Sequence, residues 1–488
     1  MWPFSRQPRT TNTTRNVLSR EKIWPPEEHE ERLARYERYR KLYRGEHFSV
    51  FNDPVRGSDH DLFPQYYITT NLAAQVSHTA ADLLFGEPPN FIAEDGARQE
   101  TIDRLVTEND LFTTLLKSAR GQSYRGDSVF KIRWSPEAGG RVVIESLAPD
   151  AYFPIFDPDD PTRNESVWVA WVRSGGADRS GDRGLWARPS DEASEVLRVE
   201  VHTPGQIQNL VFPYKNGRLG APMDLAGVAP DVPEFVATGI DEIPLIHIPN
   251  AVTDDTGPFG LSDYVFFEDI QREINNRLSQ IGNVLDKHAD PNMVIPLQAL
   301  DAEGAFRAVT QKAWPIDQAD VRPEYVTWDG KLDAAFREVE LLEELFFMAS
   351  GISPGTLGVA RAGLVEESGR AIHLRQLRTL KWIENKRAAW NQGLTRMFSI
   401  AQQFLAAHSP DHADAQPTKV QILWNDGLPT DRTANIEDAV KAVEGGVMSV
   451  ERGVRLAQGL EGENLTAEVQ AIGAEGSGQR HTAATAAD

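Results

Sequence analysis

The second half of the chain alternates long helix-forming stretches with short segments rich in Gly and Pro. Apolar side chains recur at helical spacing over Gly260–His288 and again over Lys331–Ala349. A Gly-rich loop follows, and a third helical stretch runs from Glu367 to about Ala407. A compact enzyme seldom needs helices of this length joined by a flexible, nearly uncharged loop. The pattern favours a tall, ring-shaped assembly.

Apolar residues define one stripe on each of the first two helices. On the first helix they are Ile270, Ile274, Leu278, Ile281 and Leu285, and on the second they are Leu332, Phe336, Val339, Leu342, Leu345, Phe346 and Ala349. Such stripes predict packing against neighbouring helices. At about 1.5 Å per residue the first helix is roughly 40 Å long. Gly393, inside the third helix, costs roughly 1 kcal/mol relative to Ala and predicts a bend.

The second and third helices carry opposite charges. The acids of the second are Glu338, Glu340, Glu343 and Glu344, and the bases of the third include Arg370, Arg375, Arg378, Lys381, Lys386, Arg387 and Arg396. A charged helix face is most often simply solvated. Segregation between two helices joined by one loop instead favours packing in register, within a subunit or between neighbours. The predicted subunit-packing residues are the four glutamates with Arg370, Arg375, Arg378 and Lys381.

The segment between the first two helices, Ala289–Gly330, has a different composition. It contains four prolines, a short helical pattern near Ala302–Val309, and seven acidic residues against three basic ones. This predicts a small acidic α+β module at the end of two helices.

The first half of the chain changes from helices to strands. Helices are predicted over Glu27–Tyr43, from Asn71 and over about Thr101–Ala119. Strands are predicted as a hairpin, Ser128–Trp134 with Arg141–Leu147, followed by Tyr152–Phe156, Val167–Val172, Val196–His202, Gln208–Tyr214 and Pro244–Ile248. After Pro417 come a strand (Val420–Trp424) and two helices, the second capped by Ser449. Residues 1–24 and those from 461 read as disordered tails.

Composition limits the classes of function. The chain has no cysteine, which excludes disulfides, thiolate zinc sites and cysteine nucleophiles. Its formal net charge of −22 argues against a protein that grips nucleic acid through its overall field. No apolar run reaches membrane-spanning length, and the N-terminus does not read as a signal peptide. We expect a protein made and used in a reducing cytosol, or in a particle assembled there.

Motifs for catalysis, metals and cofactors are missing from the sequence. There is no GxxxxGK[ST], GxGxxG, HExxH or GxSxG, so no catalytic residue, cofactor or metal site is predicted. Three carboxylates cluster at Asp157, Asp159 and Asp160, which leaves a metal-dependent phosphoesterase as a minor alternative. Asp and Pro are also ordinary turn formers, and no further ligand lies at metal-binding spacing.

Several short sequence motifs, in the following order along residues 25–460, resemble those of a known family. They are Leu83–Pro89, Gly260–Asp263 with Asp269, Ile270, Asn275 and Ser279 after it, Glu367–Ile372, and Gly446–Ser449. Together with the order of helices, excursion and loop, they resemble the portal proteins of tailed double-stranded DNA bacteriophages, especially the siphophage type. Ser174–Ala229 does not match the family pattern.

The resemblance implies a multi-domain α+β portal fold. Between the two tails its parts are the wing (25–259), first stem helix (260–288), clip (289–330), second stem helix (331–349), tunnel loop (350–366), long wing helix (367–416) and crown (417–460).

The resemblance also implies a structural role without enzymatic activity. Members form a homo-oligomeric, dodecameric ring at one capsid vertex of the virion, assembled in the host cytoplasm with major capsid and scaffold proteins and without a membrane. Double-stranded DNA is packaged and ejected through the ring, which docks the terminase large subunit and then head-completion or adaptor proteins. The structural alternative is another phage head protein, such as a minor capsid protein.

Two sets of site residues follow from the resemblance. Residues expected to contact DNA from the tunnel loop are Ile352, Ser353, Thr356, Val359 and Arg361, with Arg361 binding phosphate. Clip residues expected to contact terminase or adaptor are Asp301, Glu303, Asp317 and Asp320. Because DNA must slide, few cations should line the channel.

Overall fold

The computed structural model describes the chain in eleven segments. They are residues 23–51, 67–160, 162–174, 195–289, 293–294, 324–325, 332–357, 369–410, 416–425, 432–458 and 465–472. Two compact units contain them, one formed by residues 1–362 with 375–425 and the other by 363–374 with 426–488. Helices and antiparallel sheets confirm the predicted α+β class.

The regular elements follow one another as helices and strands of ordinary length, apart from three long helices. The helices are α1 (Glu30–Tyr43), α2 (His47–Phe51), α3 (Leu72–Phe85), α4 (Gln99–Glu108), α5 (Leu111–Arg125), α6 (Glu268–Ala289), α7 (Leu332–Ser350), α8 (Gly369–His408), α9 (Arg432–Glu444) and α10 (Val450–Gln458). The strands are β1 (Asn90–Ala93), β2 (Asp127–Ser135), β3 (Arg141–Leu147), β4 (Tyr152–Phe156), β5 (Asn164–Ser174), β6 (Glu195–Thr203), β7 (Gln206–Lys215), β8 (Arg218–Leu219), β9 (Phe235–Ala237), β10 (Leu245–Pro249), β11 (Met293–Val294), β12 (Glu324–Tyr325) and β13 (Val420–Leu423).

The single helix predicted over residues 101–119 is two helices, so that prediction is wrong. The break between α4 and α5 lies at Asn109 and Asp110, and Asp110 has φ of +43°, which a continuous helix does not allow. The Asn109 side chain donates to the carbonyl of Leu105 at 2.9 Å and accepts from the amide of Ile144 at 2.8 Å. These bonds compensate for the lost helical ones and tie the break to β3.

The first core lies between α8 and a three-stranded sheet of order β10-β2-β3. The predicted hairpin is confirmed as β2 and β3, with Ile132 opposite Ile144. Trp390 and Phe398 of α8 are fully buried in the same cluster as Phe130 of β2. This burial explains why a helix as long as α8 is stable, because tertiary packing of one face supplies most helical stability.

The strand β13 belongs to the first unit. It pairs antiparallel with β1, from Asn90 opposite Leu423 to Ala93 opposite Val420, and Val420 is buried in the first core. Residues through 425 therefore belong to the same compact unit as β1, and the predicted division of the chain into wing, stem, clip, tunnel loop and crown stays a prediction.

A six-stranded antiparallel sheet contains the other predicted strands. Its order is β4-β5-β6-β7-β8, with β9 also paired to β7. Trp24 packs on this sheet, with its ring centroid 4.6 Å from that of Phe153. Ile23 forms a β-bridge with Arg218. The predicted N-terminal tail is therefore ordered at residues 23–24, because Trp24 buries its ring against the sheet.

The second unit contains α9 and α10, which pack on each other. The hydroxyl of Ser449 accepts from the amide of Arg452 at 3.2 Å, which confirms the predicted cap. Residues 465–472 are helical, and Leu465 is buried. This part of the predicted C-terminal tail is ordered because an apolar side chain finds a packing site.

Gly393 marks a close approach of α8 to β10. A Cβ at this position would lie 2.5 Å from Cγ1 of Ile248 and closer still to its Cδ1. Gly393 thus lets the long helix lie directly on the sheet. This close approach explains a glycine inside the helix without the predicted bend.

Gly393→Ala is expected to destabilise the first unit by about 1–3 kcal/mol, although Ala favours a helix by roughly 1 kcal/mol. The overlap with Ile248 outweighs the gain in helix propensity. Urea unfolding followed by Trp fluorescence measures this, and the double variant Gly393→Ala with Ile248→Ala should lose less than the sum of the two single variants. A higher midpoint for Gly393→Ala would show that the close approach is absent.

Candidate functional site: the junction of the three long helices

The candidate site is the region of the first unit where α6, α7 and α8 meet, together with the loop root, which we define as Ser350–Leu357. The predicted helix start at Gly260 is wrong. A 3-10 turn, Asp263–Phe266, comes first, and α6 begins at Glu268. Ser262 caps the turn by accepting from the amide of Tyr264 at 3.0 Å. The cap redirects the chain so that Tyr264 and Phe267 enter the core.

Helices α6 and α7 pack on each other as the two apolar stripes predict. Ile274 of α6 and Phe346 of α7 are buried in one cluster, and Phe267 lies 4.7 Å from Phe346 between ring centroids. Leu285, Phe336 and Leu345 of these stripes are exposed in the single subunit, so their packing against another helix stays a prediction. Periodicity places a residue on a face, but the length of the neighbouring elements decides how much of that face is covered.

A buried polar ladder runs along α6 at Gln271, Asn275 and Ser279, spaced four residues apart. The Asn275 carbonyl accepts from the amide of Thr70 at 3.1 Å, and Gln271 donates to the carbonyl of Thr70 at 2.7 Å. Ser279 accepts from the amide of Ile68 at 2.8 Å. The ladder satisfies backbone groups of residues 68–70. Polar residues spaced four apart on α6 were a sequence signal for the contact with residues 68–70. Asn275 and Ser279 were identified from the sequence, but Gln271 was missed.

His47 closes one side of the ladder. Its Nδ1 lies 2.8 Å from the amide nitrogen of Asn275, so Nδ1 accepts, and Nε2 donates to the carbonyl of Leu42 at 3.0 Å. Burial lowers the pKa of His47, against the smaller upward effect of the Leu42 carbonyl. A neutral ring with one defined tautomer fits both contacts.

Acidification is expected to destabilise the first unit through its buried neutral histidines. Burial, helped by Arg32, lowers the pKa of His29 to about 4, and burial also lowers that of His47. Both folded-state pKa values lie below the unfolded value of about 6.5, so the free energy of unfolding does not depend on these two rings above that pH. As the pH falls further, the free energy of unfolding decreases by at most about 1.4 kcal/mol per pH unit for each ring. Urea midpoints at pH 7.5, 6.5 and 5.5 measure the slope. His47→Gln should reduce it, and a flat profile would contradict the assignment.

A buried ion pair holds α8 to the turn that precedes α6. Lys386 Nζ lies 2.8 and 2.9 Å from the two carboxylate oxygens of Asp263 and also donates to Asn250. Asp263 accepts in addition from the hydroxyl of Ser123 at 2.7 Å. Lys386 sits 4.6 Å from the ring centroid of Trp382, and burial lowers its pKa. Lys386 belongs to the basic run in the sequence, but it acts inside the subunit.

The loop root is held against α8 by one hydroxyl. Thr379 accepts from the amide of Ser353 at 2.8 Å and donates to the carbonyl of Gly351 at 3.2 Å. Ile352 is 2% exposed and packs in the same cluster as Phe346. The predicted contact of Ile352 with DNA stays a prediction, although in this subunit its side chain is part of the core.

Of the other predicted loop residues, two are described by the structure and two are not. Ser353 and Thr356 are half-buried, and a 3-10 turn, Pro354–Leu357, follows the root. Val359 and Arg361 lie outside the described residues. Their contact with DNA stays a prediction.

The predicted subunit-packing residues fall into two groups. Glu338 lies 2.9 Å from the guanidinium of Arg277, which belongs to α6 of the same chain. Those at exposed positions are Glu340, Glu343, Glu344, Arg378 and Lys381. The side chains of Arg370 and Arg375 lie outside the described residues. Packing between subunits stays a prediction.

The far ends of α6 and α7 are joined by the two-residue ladder of β11 and β12, with Met293 opposite Tyr325. This ladder brings together the two ends of the predicted clip. Asp301, Glu303, Asp317 and Asp320 lie outside the described residues, so their roles stay predictions.

The acidic cluster at Asp157–Asp160 is a hydrogen-bonded turn. Asp157 accepts from the amide of Asp159 at 3.0 Å and pairs with Arg163, and Asp160 accepts from the amide of Thr162 at 3.0 Å. The amide of Asp159 and Arg163 together lower the pKa of Asp157. No group of three potential ligands occurs among the described residues, so this part of the structure gives the phosphoesterase alternative no support. Within the same residues, no helix is both long and apolar enough to cross a membrane.

The structure thus combines a long helical pair with a two-residue β-ladder at its far end, a loop root held on a longer helix, and a six-stranded antiparallel sheet. The family model of phage portal proteins matches residues 24–480, and the chain belongs to this family. The matching model is described as SPP1 Gp6-like. Proteins of the portal family are structural rather than enzymatic. The family match confirms the resemblance found in the sequence.

Two solved structures are similar to the chain at low identity. One is the neck of an empty gene transfer agent particle computed with C6 symmetry, at 12% identity over 84% of this chain and 96% of that chain, with a TM-score of 0.47. The other is the virion of a native gene transfer agent particle, at 13% identity over 92% and 99%, with a TM-score of 0.42. At these scores the family assignment rests on the family model. No curated protein matches the chain.

Proposed function

We propose that the chain forms the ring-shaped channel at one capsid vertex through which double-stranded DNA is packaged and ejected. The observation that carries this proposal is the family match, which extends over residues 24–480 and so includes the helical pair, the loop and the wing. The ring is a homo-oligomer, expected to be a dodecamer, that assembles in the host cytoplasm with capsid and scaffold proteins and then remains in the virion.

The helical pair supports a channel wall. Helices α6 and α7 pack along each other, and the β11–β12 ladder holds their far ends together. The acidic excursion between them would then project from one end of the wall, where a docking partner can reach it. We assign terminase and head-completion contacts to this excursion, with Asp301, Glu303, Asp317 and Asp320 as the contacting acids.

Charge supports passage of DNA without tight binding. Each subunit carries a formal charge of −22, which a ring multiplies. Every Lys or Arg contact with phosphate would add salt-dependent affinity, whereas like charge repels the duplex from the wall. A channel built from such subunits lets DNA slide.

Electron microscopy of the purified full chain, with mass photometry on the same sample, tests the ring. Rings with a central hole and a mass near twelve subunits are expected. A monomer at every concentration and salt would overturn the proposal.

Arg361→Ala is expected to reduce DNA packaging or genome retention, because Arg361 is the cation of the tunnel loop. The measurement is packaged DNA per particle, protected from nuclease. Arg163→Ala is the matched control, since Arg163 is an exposed Arg in a wing turn. Equal packaging by both variants and the parent would show that Arg361 does not contact DNA.

A further inference from the structure

Helix α7 carries an apolar stripe that the described part of the chain leaves uncovered. Leu341, Leu345 and Met348 are 54%, 37% and 55% exposed. Their spacing of four and three residues places them on one face of α7, opposite the buried Val339 and Phe346, of which Phe346 packs in one cluster with Ile274 of α6. Single exposed apolar residues are ordinary, but a continuous stripe of three long side chains indicates a contact surface.

The charged side chains that border this stripe are three acids and one base. On the helical wheel, Glu340, Glu344 and Arg337 lie on one side of Leu341, and Glu338 lies on the other, so the border is acidic on balance. Glu340 is exposed. A partner of the stripe should therefore present an apolar side chain accompanied by positive charge.

Helix α8 presents such a surface. Leu377 is 46% exposed, and Arg378 and Lys381 beside it are exposed, with Lys381 lying 2.6 Å from Glu384. The opposite face of α8 is occupied, since Thr379 holds the loop root and Lys386 is buried against Asp263. The exposed face is thus available to another molecule.

We propose that the α7 stripe of one copy packs against the Leu377–Lys381 surface of α8 in the next copy. This inference rests on the proposed ring, because a closed ring needs two different complementary patches on each subunit. The exposed positions of α6 fit less well. Its exposed residues among those described are Asp269, Arg272, Leu285 and Asp286, of which three are charged.

Leu341→Asp tests the stripe, and Phe336→Asp is the matched control. Both positions lie on α7 and are about half exposed, at 54% and 47%, but Phe336 lies on another side of the helix. Leu341→Asp should raise the concentration at which half of the chain is in rings by about tenfold or more, the usual effect of losing an interface anchor. Phe336→Asp should leave this concentration unchanged. Mass photometry over a dilution series measures both.

Charge reversal tests the partner surface. Arg378→Glu should weaken the ring, and the double variant Arg378→Glu with Glu340→Lys should recover it, because the two charges would then again be opposite across the interface. Failure of the double variant to recover the ring would overturn the pairing of α7 with α8.

The outcomes separate the inference from the proposed function. If the parent chain forms no ring, the proposed function fails. If the parent and Leu341→Asp form rings over the same concentrations, the inference alone fails. If Leu341→Asp lowers the thermal unfolding midpoint of the dissociated chain relative to Phe336→Asp, the stripe is covered within the subunit, and the inference also fails.

Discussion

Lys386→Met is expected to destabilise the first unit by about 3–5 kcal/mol, the usual cost of removing one partner from a buried ion pair. The substitution would leave the Asp263 carboxylate inside the protein without its cation, although Ser123 and Asn250 still donate to it. Because Asp263 begins the turn before α6, the loss should also loosen the start of the helical pair.

Urea unfolding of the dissociated chain, followed by Trp fluorescence, measures this loss without any contribution from packing between copies. Lys381→Met is the matched control, since it is the same substitution on the same helix at an exposed pair and should cost at most about 1 kcal/mol. The double variant Lys386→Met with Asp263→Asn should lose less than the sum of the single variants. Equal midpoints for Lys386→Met and Lys381→Met would contradict the buried pair.

Trp390→Ala is expected to cost about 3–5 kcal/mol, as large-to-small substitutions of buried aromatic residues do. Trp390 is fully buried, with its ring centroid 4.9 Å from that of Phe85 and 5.9 Å from that of Phe130. It connects α8 with α3 and with β2. Its removal should open a cavity in the middle of the first core.

Trp390→Phe separates the packing of the ring from its hydrogen bond. The indole N–H donates to Gln122 at 2.9 Å, and Gln122 in turn donates to the carbonyl of Ile248 at 3.0 Å. The Phe variant keeps most of the apolar contact and leaves Gln122 unsatisfied, so we expect a smaller loss of about 1–3 kcal/mol. Calorimetric unfolding of both variants measures the difference. Equal losses would mean that the hydrogen bond, not the packing, stabilises this site.

Much of the secondary structure could be predicted because its signals are local. Runs rich in β-forming residues between turn residues located β2 through β7 to within a few residues, and helical periodicity located α6, α7 and α8. Local signals also located the cap at Ser449 and the helix start near Asn71, whose side chain accepts from the amide of Ala74. The family resemblance depended on the order of these elements together with short sequence motifs. The match to the family model confirmed this resemblance.

The sequence could not show features that depend on contacts between distant residues. The residues next to Ile352 in the sequence do not show that Thr379 holds the loop root against α8, where the side chain of Ile352 is buried. The partner of β13 is β1, more than three hundred residues earlier in the chain. The need for Gly393 depends on Ile248, a neighbour only after folding. Equally, Lys386 and Lys381 look alike in the sequence, but one is buried beside Asp263 and the other lies at the surface.

The sequence by itself thus determined the types and order of the elements, the acidic character of the subunit and its membership of a structural family. Hydrophobic periodicity and turn chemistry act over a few residues, so they can be read without coordinates. Which face of each helix is covered, which cation is buried and which loop residue is held were decided only in the tertiary structure. Burial and ion pairing depend on residues brought together from distant parts of the chain.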